Sequence, residues 1–350
     1  MKQHLPALDG LRAVAIGLVL WQHAGLLFGD RGIDLGHWFW QASRAGWWGV
    51  DLFFVLSGFL ITRILLRPTT TPLGAFWKRR AARTMPLLYV YLVAAAAYGC
   101  GGGFQVTDQP WLAYVTHTAN LHIASAGFGL PIFGMLWSLG VEEQFYLLWP
   151  LAVRGARSRL GWVCGALLIV APLARWGVYH ASDSYAAFHV LPLCRCDTLA
   201  LGALLALASA SPERWSRVVT ASHVLLAPSM VVLGLVTAWG LGPWPMPAHE
   251  EAWVVVGYSL VGLSCAVLVA TAAAGGVVAR RLLGNPVMGH IGRVSYGIYL
   301  WHCLLALCVL SLPATASVTT QLGLWLATVL AVATLGWFGI ERRWLPAAVA

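Results

Sequence analysis

Charged residues are scarce in this chain of 350 residues: they make up 10% of the total, and only 13 side chains are acidic. Hydrophobic residues account for 59%, and the mean hydropathy is +0.74. Soluble globular domains carry about 25% charged residues, so this composition excludes an ordinary soluble protein. It predicts an all-α polytopic membrane protein, since a helix satisfies its own backbone hydrogen bonds in lipid.

Other features that are missing narrow the function further. The seven cysteines are scattered, and Cys194 and Cys196 lie two apart with no second pair, so neither a zinc pattern nor any metal is implied. No period of 20 to 50 residues recurs, and there are no clear inverted halves of the kind found in transporters. No stretch resembles a soluble appendage, so we expect one integral-membrane domain over 1–350.

Apolar segments of about 18 to 20 residues predict a bundle of ten transmembrane helices. Of the 22 Lys and Arg residues, 18 fall at one end of these helices and 4 at the other, which the positive-inside rule interprets as both termini in the cytoplasm. The net charge of +9 is therefore mainly a topology signal, and nucleic acid binding is not expected. The predicted spans are 11–28, 48–66, 84–100, 135–153, 160–178, 193–210, 222–240, 253–273, 294–312 and 321–340.

The first apolar segment carries two ionisable residues, Arg12 and His23, in LDGLRAVAIGLVLWQHAG. Eleven residues at about 100° each bring both side chains to within about 20° of one another on one helix face. They lie roughly 16 Å apart along the axis, so Arg12 reaches water while His23 lies within the membrane. An ionisable side chain at that depth predicts a functional site. The pair suggests an anionic ligand that extends inward to its reactive end.

Ionisable residues of three other segments fall at a similar depth, in the outer half of the bilayer. They are Asp51 in GVDLFFVLSGFLIT, Glu142 and Glu143 in WSLGVEEQFYLLWP, and Arg195 and Asp197 in LCRCDTLALGALLA. A carboxylate beside an imidazole would fix its tautomer and raise its basicity, as general-base catalysis needs. Asp51, Glu142 and Glu143 are all candidates for that part. The alternative is that the charged groups pair with one another and hold the bundle together.

Arg80 and Arg83, in FWKRRAARTMP, lie one helical turn apart on the membrane side that Arg12 faces. Three guanidinium groups there would bind phosphates in a bidentate manner, although positive-inside anchoring also explains such a cluster. His302, in SYGIYLWHCLL, is either a site residue or a hydrogen-bonded packing residue. Glu341, in GIERRW, is either a site residue or the partner of a neighbouring arginine.

Together these segments resemble the membrane-bound acyltransferase-3 family, whose members O-acylate bacterial surface glycans and some antibiotics. The resemblance spans nearly the whole chain and implies a ten-helix enzyme of the bacterial cytoplasmic membrane. Such an enzyme takes an acyl group, usually acetyl, from cytoplasmic acyl-CoA and delivers it to an acceptor hydroxyl. The resemblance rests on LDGLRAVAIGLVLWQH, GVDLFFVLSGFLIT, the Arg80–Arg83 pair before Pro86, WSLGVEEQFYLLWPL, RCDTLALGALLA and SYGIYLWH, in that order.

By motif position, the resemblance implies that Arg12 and His23 are the family's essential pair. It likewise makes Arg80 and Arg83 the family's arginine motif and Glu341 its C-terminal acidic residue. The arginines would hold the anionic head of coenzyme A, with the thioester near His23. His23 would act as general base on the acceptor hydroxyl or carry the acyl group itself. The acceptor stays open among a glycan, a lipid-linked sugar and a macrolide.

The sequence departs from the family pattern in two ways, and two other functions would use the same residues. Arg343 stands where many relatives have proline, which weakens the assignment of Glu341, and we expect no fused SGNH-type domain. A secondary transporter would use the polar residues as a proton relay, and it would accumulate unmodified substrate in vesicles. A haem or quinone protein would use His23 and His302 as ligands, and it would show a visible absorption band.

Overall fold

Helices make up most of the described chain, and no strand occurs in it, which confirms the predicted all-α class. The structure is a computed structural model that describes residues 5–29, 42–67, 72–182, 184–239, 250–312 and 317–344. The helices are α1 Pro6–Phe28, α2 Trp48–Leu65, α3 Leu73–Tyr98, α4 Trp111–Val115, α5 Ala119–Ala126, α6 Pro131–Gly134, α7 Leu136–Gly155, α8 Leu160–Ala181, α9 Tyr185–Val190, α10 Pro192–Ser209, α11 Pro212–Trp239, α12 Tyr258–Ala274, α13 Val277–Leu283, α14 Pro286–Arg293, α15 Ser295–Leu310, α16 Val318–Gly336 and α17 Arg342–Trp344. Wider π turns extend three of them, at Gly99–Gly103, Trp253–Gly257 and Trp337–Glu341.

Within the described residues, eight helical segments are long and apolar enough to cross a bilayer. A ninth span results if α14 and α15, which are bent by 67°, are counted together. The prediction was ten, and the difference is α7. This helix occupies the predicted 135–153 segment, but the run Glu142-Glu143-Gln144 lowers its hydropathy, so it is not among the apolar membrane spans. The cytoplasmic location of the termini stays a prediction, and Lys2 and Arg31 of the charge count lie outside the described residues.

Helix α3 begins at Leu73, eleven residues before the predicted start at 84. Most of the segment FWKRRAARTMP precedes the predicted span 84–100, but it belongs to the helix itself. Ala, Arg and Lys are strong helix formers, and Pro72 stands directly before the first turn, where its fixed φ favours helix initiation. The longer helix gives Arg80 and Arg83 a common, part-buried face and leaves Arg79 exposed.

The segment 101–134 holds α7 in place through hydrogen bonds to Gln144. The Gln144 side-chain amide donates to the His117 carbonyl oxygen at 3.0 Å and to Asn120 Oδ1 at 2.9 Å. Burial lowers the pKa of His117 to about 4, so this imidazole is neutral at pH 7. This segment, which lies between the predicted spans 84–100 and 135–153, contains α4 to α6 and orients the helix that carries Glu142 and Glu143.

Helices α2 and α10 cross closely because two glycines face the opposite backbone. A methyl group added at Gly58 would collide with the carbonyl oxygen of Leu199, and one at Gly202 with that of Val55. Backbone cannot move aside as a flexible side chain can, so Gly58→Ala is expected to lower stability by about 1–3 kcal/mol. Gly165→Ala, where no atom lies within 4 Å of the added methyl group, is the matched control. The measurement is the melting curve in detergent, and a wild-type curve for Gly58→Ala would contradict this packing.

Candidate functional site

Three guanidinium groups, those of Arg12, Arg80 and Arg83, line one cavity that α1, α3 and α7 border. Within the described chain, none of the three has an ion-pair partner within 4 Å or a side-chain hydrogen bond. Arg80 lies over the Tyr146 ring, 5.7 Å from its centroid. Cations held together inside a protein without paired counter-ions indicate a site for an anion. We name this the arginine cavity.

Two carboxylates predicted as partners of an imidazole, Glu142 and Glu143, line the arginine cavity instead. Glu142 accepts hydrogen bonds from Ser57 Oγ at 2.8 Å and from the Tyr146 hydroxyl at 3.3 Å. The same hydroxyl also lies 3.0 Å from Ser57 Oγ. The two glutamates therefore offset part of the positive charge of this cavity, with Glu142 held by a hydroxyl network.

Glu341 lies near Arg83, at the end of the last π turn. Its side chain is 1% exposed, and neither carboxylate oxygen has a hydrogen-bond partner within the described residues. Arg83 is the cation that acts on it electrostatically. The structure thus brings the C-terminal acidic residue to the arginine motif, as expected for either a site residue or a charge partner.

His23 lines a second cavity, of about 420 Å³, which we name the histidine cavity. The Nδ1 of His23 lies 2.9 Å from the Val19 carbonyl oxygen. Because that oxygen can only accept, we assign the proton to Nδ1, which leaves Nε2 with a free lone pair. Six other lining residues carry aromatic side chains. They are Trp47, Phe128, Trp137, Tyr185, His189 and Tyr299.

The two cavities share Val50 and Tyr299 as wall residues. The Tyr299 hydroxyl lies 2.8 Å from the Met135 carbonyl oxygen, to which it donates, and 2.6 Å from Ser138 Oγ. The position of this hydroxyl pair could not be predicted, although both residues lie in segments quoted above, WSLG and SYGIYL. A thin partition of side chains therefore separates the three arginines from His23.

The other ionisable residues predicted at this depth form buried ion pairs and do not contact His23. Arg195 Nη2 donates to Asp51 at 2.7 Å, and Arg175 Nη2 lies 3.0 Å from Asp197. All four side chains are at most 1% exposed. The count of Lys and Arg at the two helix ends does not identify Arg175 as a partner of a buried carboxylate. A cation within an apolar segment was the signal that could have identified it. The ionisable residues predicted at a similar depth are thus distributed among ion pairs and the walls of two cavities.

Breaking the pair of Asp51 and Arg195 is expected to destabilise the protein by about 3–5 kcal/mol, because the remaining charge would stay buried without a partner. The Arg195 guanidinium also lies 4.5 Å from the Tyr258 ring centroid. Arg195→Met alone should lower the melting temperature in detergent. The double variant with Asp51→Leu should recover most of that loss, and a single variant as stable as wild type would show that the pair contributes nothing.

His302 packs edge-on against His23, with ring centroids 4.6 Å apart and an interplanar angle of 78°. It is fully buried, and its Nδ1 lies 2.6 Å from the Tyr299 carbonyl oxygen. The two rings are in direct contact, so there is no gap between them for a porphyrin plane. The pair therefore does not fit bis-histidine ligation of haem, and His302 instead supports the ring of His23.

Residues 5–340 match the sequence profile of a protein family described as an acyltransferase domain. OatA of Listeria monocytogenes, named as a peptidoglycan O-acetyltransferase, is 27% identical over 95% of the chain and 54% of its own length. YrhL of Bacillus subtilis, provisionally named as a peptidoglycan O-acetyltransferase, is 26% identical over 86% of the chain and 48% of its own length. The chain thus spans about half the length of these relatives. No solved structure matches it.

Proposed function

The chain belongs to the acyltransferase 3 family, and on that premise we propose that it transfers an acyl group from acyl-CoA to a hydroxyl of a glycan. It is an acyltransferase and a multi-pass protein of the bacterial cytoplasmic membrane. The observation that carries the proposal is the pair of cavities that meet at Tyr299. One holds three arginines without an ion-pair partner among the described residues, and the other holds His23. The relatives named O-acetyltransferases make acetyl the first acyl group to test.

The donor in this proposal is held by Arg12, Arg80 and Arg83. The phosphates of coenzyme A are anionic, and guanidinium groups bind phosphate with two parallel hydrogen bonds. The pantetheine arm is long and slim, so it would extend from the arginine cavity toward the partition at Tyr299. Glu341 beside Arg83 and Glu142 beside Tyr146 would orient the cationic wall.

The chemical step uses the free Nε2 of His23 as a base. It takes the proton from the acceptor hydroxyl while Nδ1 stays bonded to Val19. The hydroxyl oxygen attacks the thioester carbonyl, the carbon–sulfur bond breaks, and the proton passes to the coenzyme A sulfur, so the products are an ester and a free thiol. The Ser138 hydroxyl, turned from Tyr299 toward the substrate, would donate to the oxyanion, while the Tyr299 hydroxyl keeps its bond to Met135. A relay in which His23 carries the acyl group remains an alternative with the same residues.

The acceptor would bind in the histidine cavity. Its aromatic wall includes Trp47, Trp137 and Tyr185, and flat rings provide apolar surface with few polar requirements, which suits stacking against a sugar ring. Peptidoglycan is the glycan suggested by the names of OatA and YrhL. Asp51 would support this wall from behind: it holds its partner Arg195, whose guanidinium lies 5.6 Å from the centroid of the Trp137 ring.

The test supplies radiolabelled acetyl-CoA to the purified protein in detergent, together with peptidoglycan fragments, a lipid-linked sugar and a macrolide. The expected result is label in the peptidoglycan fragments, with one coenzyme A thiol released for each ester formed. Label in the lipid-linked sugar or the macrolide instead would show that the acceptor belongs to that class and not to peptidoglycan. If no compound is labelled and vesicles accumulate unmodified substrate, the protein would be a transporter instead.

A further inference from the structure

Cys303 lies against the two histidines of the site. Its Sγ is 3.3 Å from His302 Nε2. One donor atom each from His23, His302 and Cys303 lies within 4.8 Å of the others. The acyl-transfer step described above has no use for the thiol, and Cys303 is fully buried in α15. We propose that these three residues form a binding site for a soft divalent metal ion such as Zn²⁺, and that the bound ion inhibits acyl transfer.

The hydrogen bonds of both imidazoles favour this role. His23 Nδ1 is bonded to the Val19 carbonyl oxygen, and His302 Nδ1 to that of Tyr299. Metal-binding histidines typically donate one ring N–H to a carbonyl or carboxylate, which fixes the tautomer and directs the other nitrogen at the ion. Nε2 is therefore the unprotonated nitrogen of each ring, and that of His302 accepts from the Cys303 thiol, whose proton is released to water as the ion binds. Two imidazole nitrogens and a thiolate are a donor set that zinc prefers.

The separations of the donor atoms fit an ion after a small movement. Ligand atoms about 2.1–2.3 Å from a tetrahedral zinc ion lie about 3.6 Å from each other. The contact between Cys303 and His302 is already that short, so the widest separation must close by about 1 Å. His23 is only part-buried and lines the histidine cavity, so its ring can tilt, and an ion that enters this cavity reaches it first.

Inhibition follows from the lone pair that the ion would occupy. In the proposed function, on which this part of the inference rests, His23 Nε2 accepts the proton of the acceptor hydroxyl. A metal ion bound to the same nitrogen prevents this. The thiol of Cys303 has no part in the transfer, so its removal should weaken metal binding and leave the metal-free reaction unchanged.

The experiment titrates Co²⁺, as a coloured substitute for Zn²⁺, into the full-length protein in detergent. Wild type is expected to show a thiolate-to-cobalt charge-transfer band, which Cys303→Ala loses and Cys308→Ala keeps. Cys308 is the matched control, because it lies in the same helix and is exposed. No band in wild type, or a band that persists in Cys303→Ala, would overturn the site whether or not the protein transfers acyl groups.

A second measurement tests the inhibition by Zn²⁺. The Zn²⁺ inhibition constant of acyl transfer is expected to rise roughly tenfold or more in Cys303→Ala, with metal-free activity equal to that of wild type. Cys303→Ser provides a second variant without the thiolate if the alanine variant folds poorly. An inhibition constant that is the same in wild type and variant would overturn the inhibitory role.

Discussion

Replacement of His23 by alanine is expected to lower the rate of acyl transfer roughly 10²- to 10⁴-fold and to leave acyl-CoA binding unchanged. The proposed proton acceptor is the Nε2 of this ring, whose Nδ1 is held by Val19. His23 lines the histidine cavity but not the arginine cavity, so the donor should still bind. The rate is measured in a single turnover with radiolabelled acetyl-CoA, and binding is measured by calorimetry.

His23→Gln separates basicity from shape, because glutamine can still hydrogen-bond but cannot act as a base at neutral pH. It is expected to be as slow as the alanine variant. His223→Ala removes an exposed imidazole from α11 and serves as the matched control with wild-type activity. Transfer that survives in His23→Gln at the wild-type rate would leave the family assignment intact and refute the general-base mechanism.

Removal of a single guanidinium from the arginine cavity is expected to weaken acyl-CoA binding roughly 10- to 100-fold. Hydrogen bonds to charged groups contribute about 1.5–3 kcal/mol, and each 1.4 kcal/mol corresponds to about tenfold in affinity. Arg80→Ala and Arg83→Ala should both show the loss, measured as the dissociation constant for acetyl-CoA. Arg80→Lys should fall between wild type and Arg80→Ala, since an ammonium group retains the charge but not the bidentate geometry.

Arg79→Ala is the matched control, because Arg79 is the exposed neighbour of Arg80 on the same helix. It should change the dissociation constant little. The melting temperature distinguishes a loss of donor binding from a loss of folding. Arg83→Ala should melt closer to wild type than Arg195→Met does, since Arg195 is ion-paired, whereas Arg83 has no ion-pair partner among the described residues. Equal donor affinity in Arg83→Ala and Arg79→Ala would contradict donor binding by the arginine cavity.

Hydropathy and helical periodicity predict much of this molecule, because both depend on residues close together in the chain. The helices were predicted from apolar length, and the common face of Arg80 and Arg83 from their spacing of one turn. The relation of Arg12 to His23 likewise depends on one helix alone, and the structure directs them to the two adjoining cavities.

The partners of the buried charges could not be predicted, because they depend on which helices are neighbours and how each is rotated. Asp51 pairs with Arg195, 144 positions away, and Glu142 with Ser57, 85 positions away. Depth along a helix can be estimated from sequence, but a common depth does not establish contact. The candidates Asp51 and Glu142 therefore have partners other than His23.

Sidedness of the reaction tests whether a donor in the arginine cavity is used by an acceptor in the histidine cavity. The purified protein is inserted in one orientation into liposomes, with radiolabelled acetyl-CoA on only one side and a glycan acceptor on only the other. Labelled glycan is expected when acetyl-CoA is on the side of Arg12, Arg80 and Arg83, and none in the reverse arrangement. Labelling only when donor and acceptor share one side would contradict this expectation.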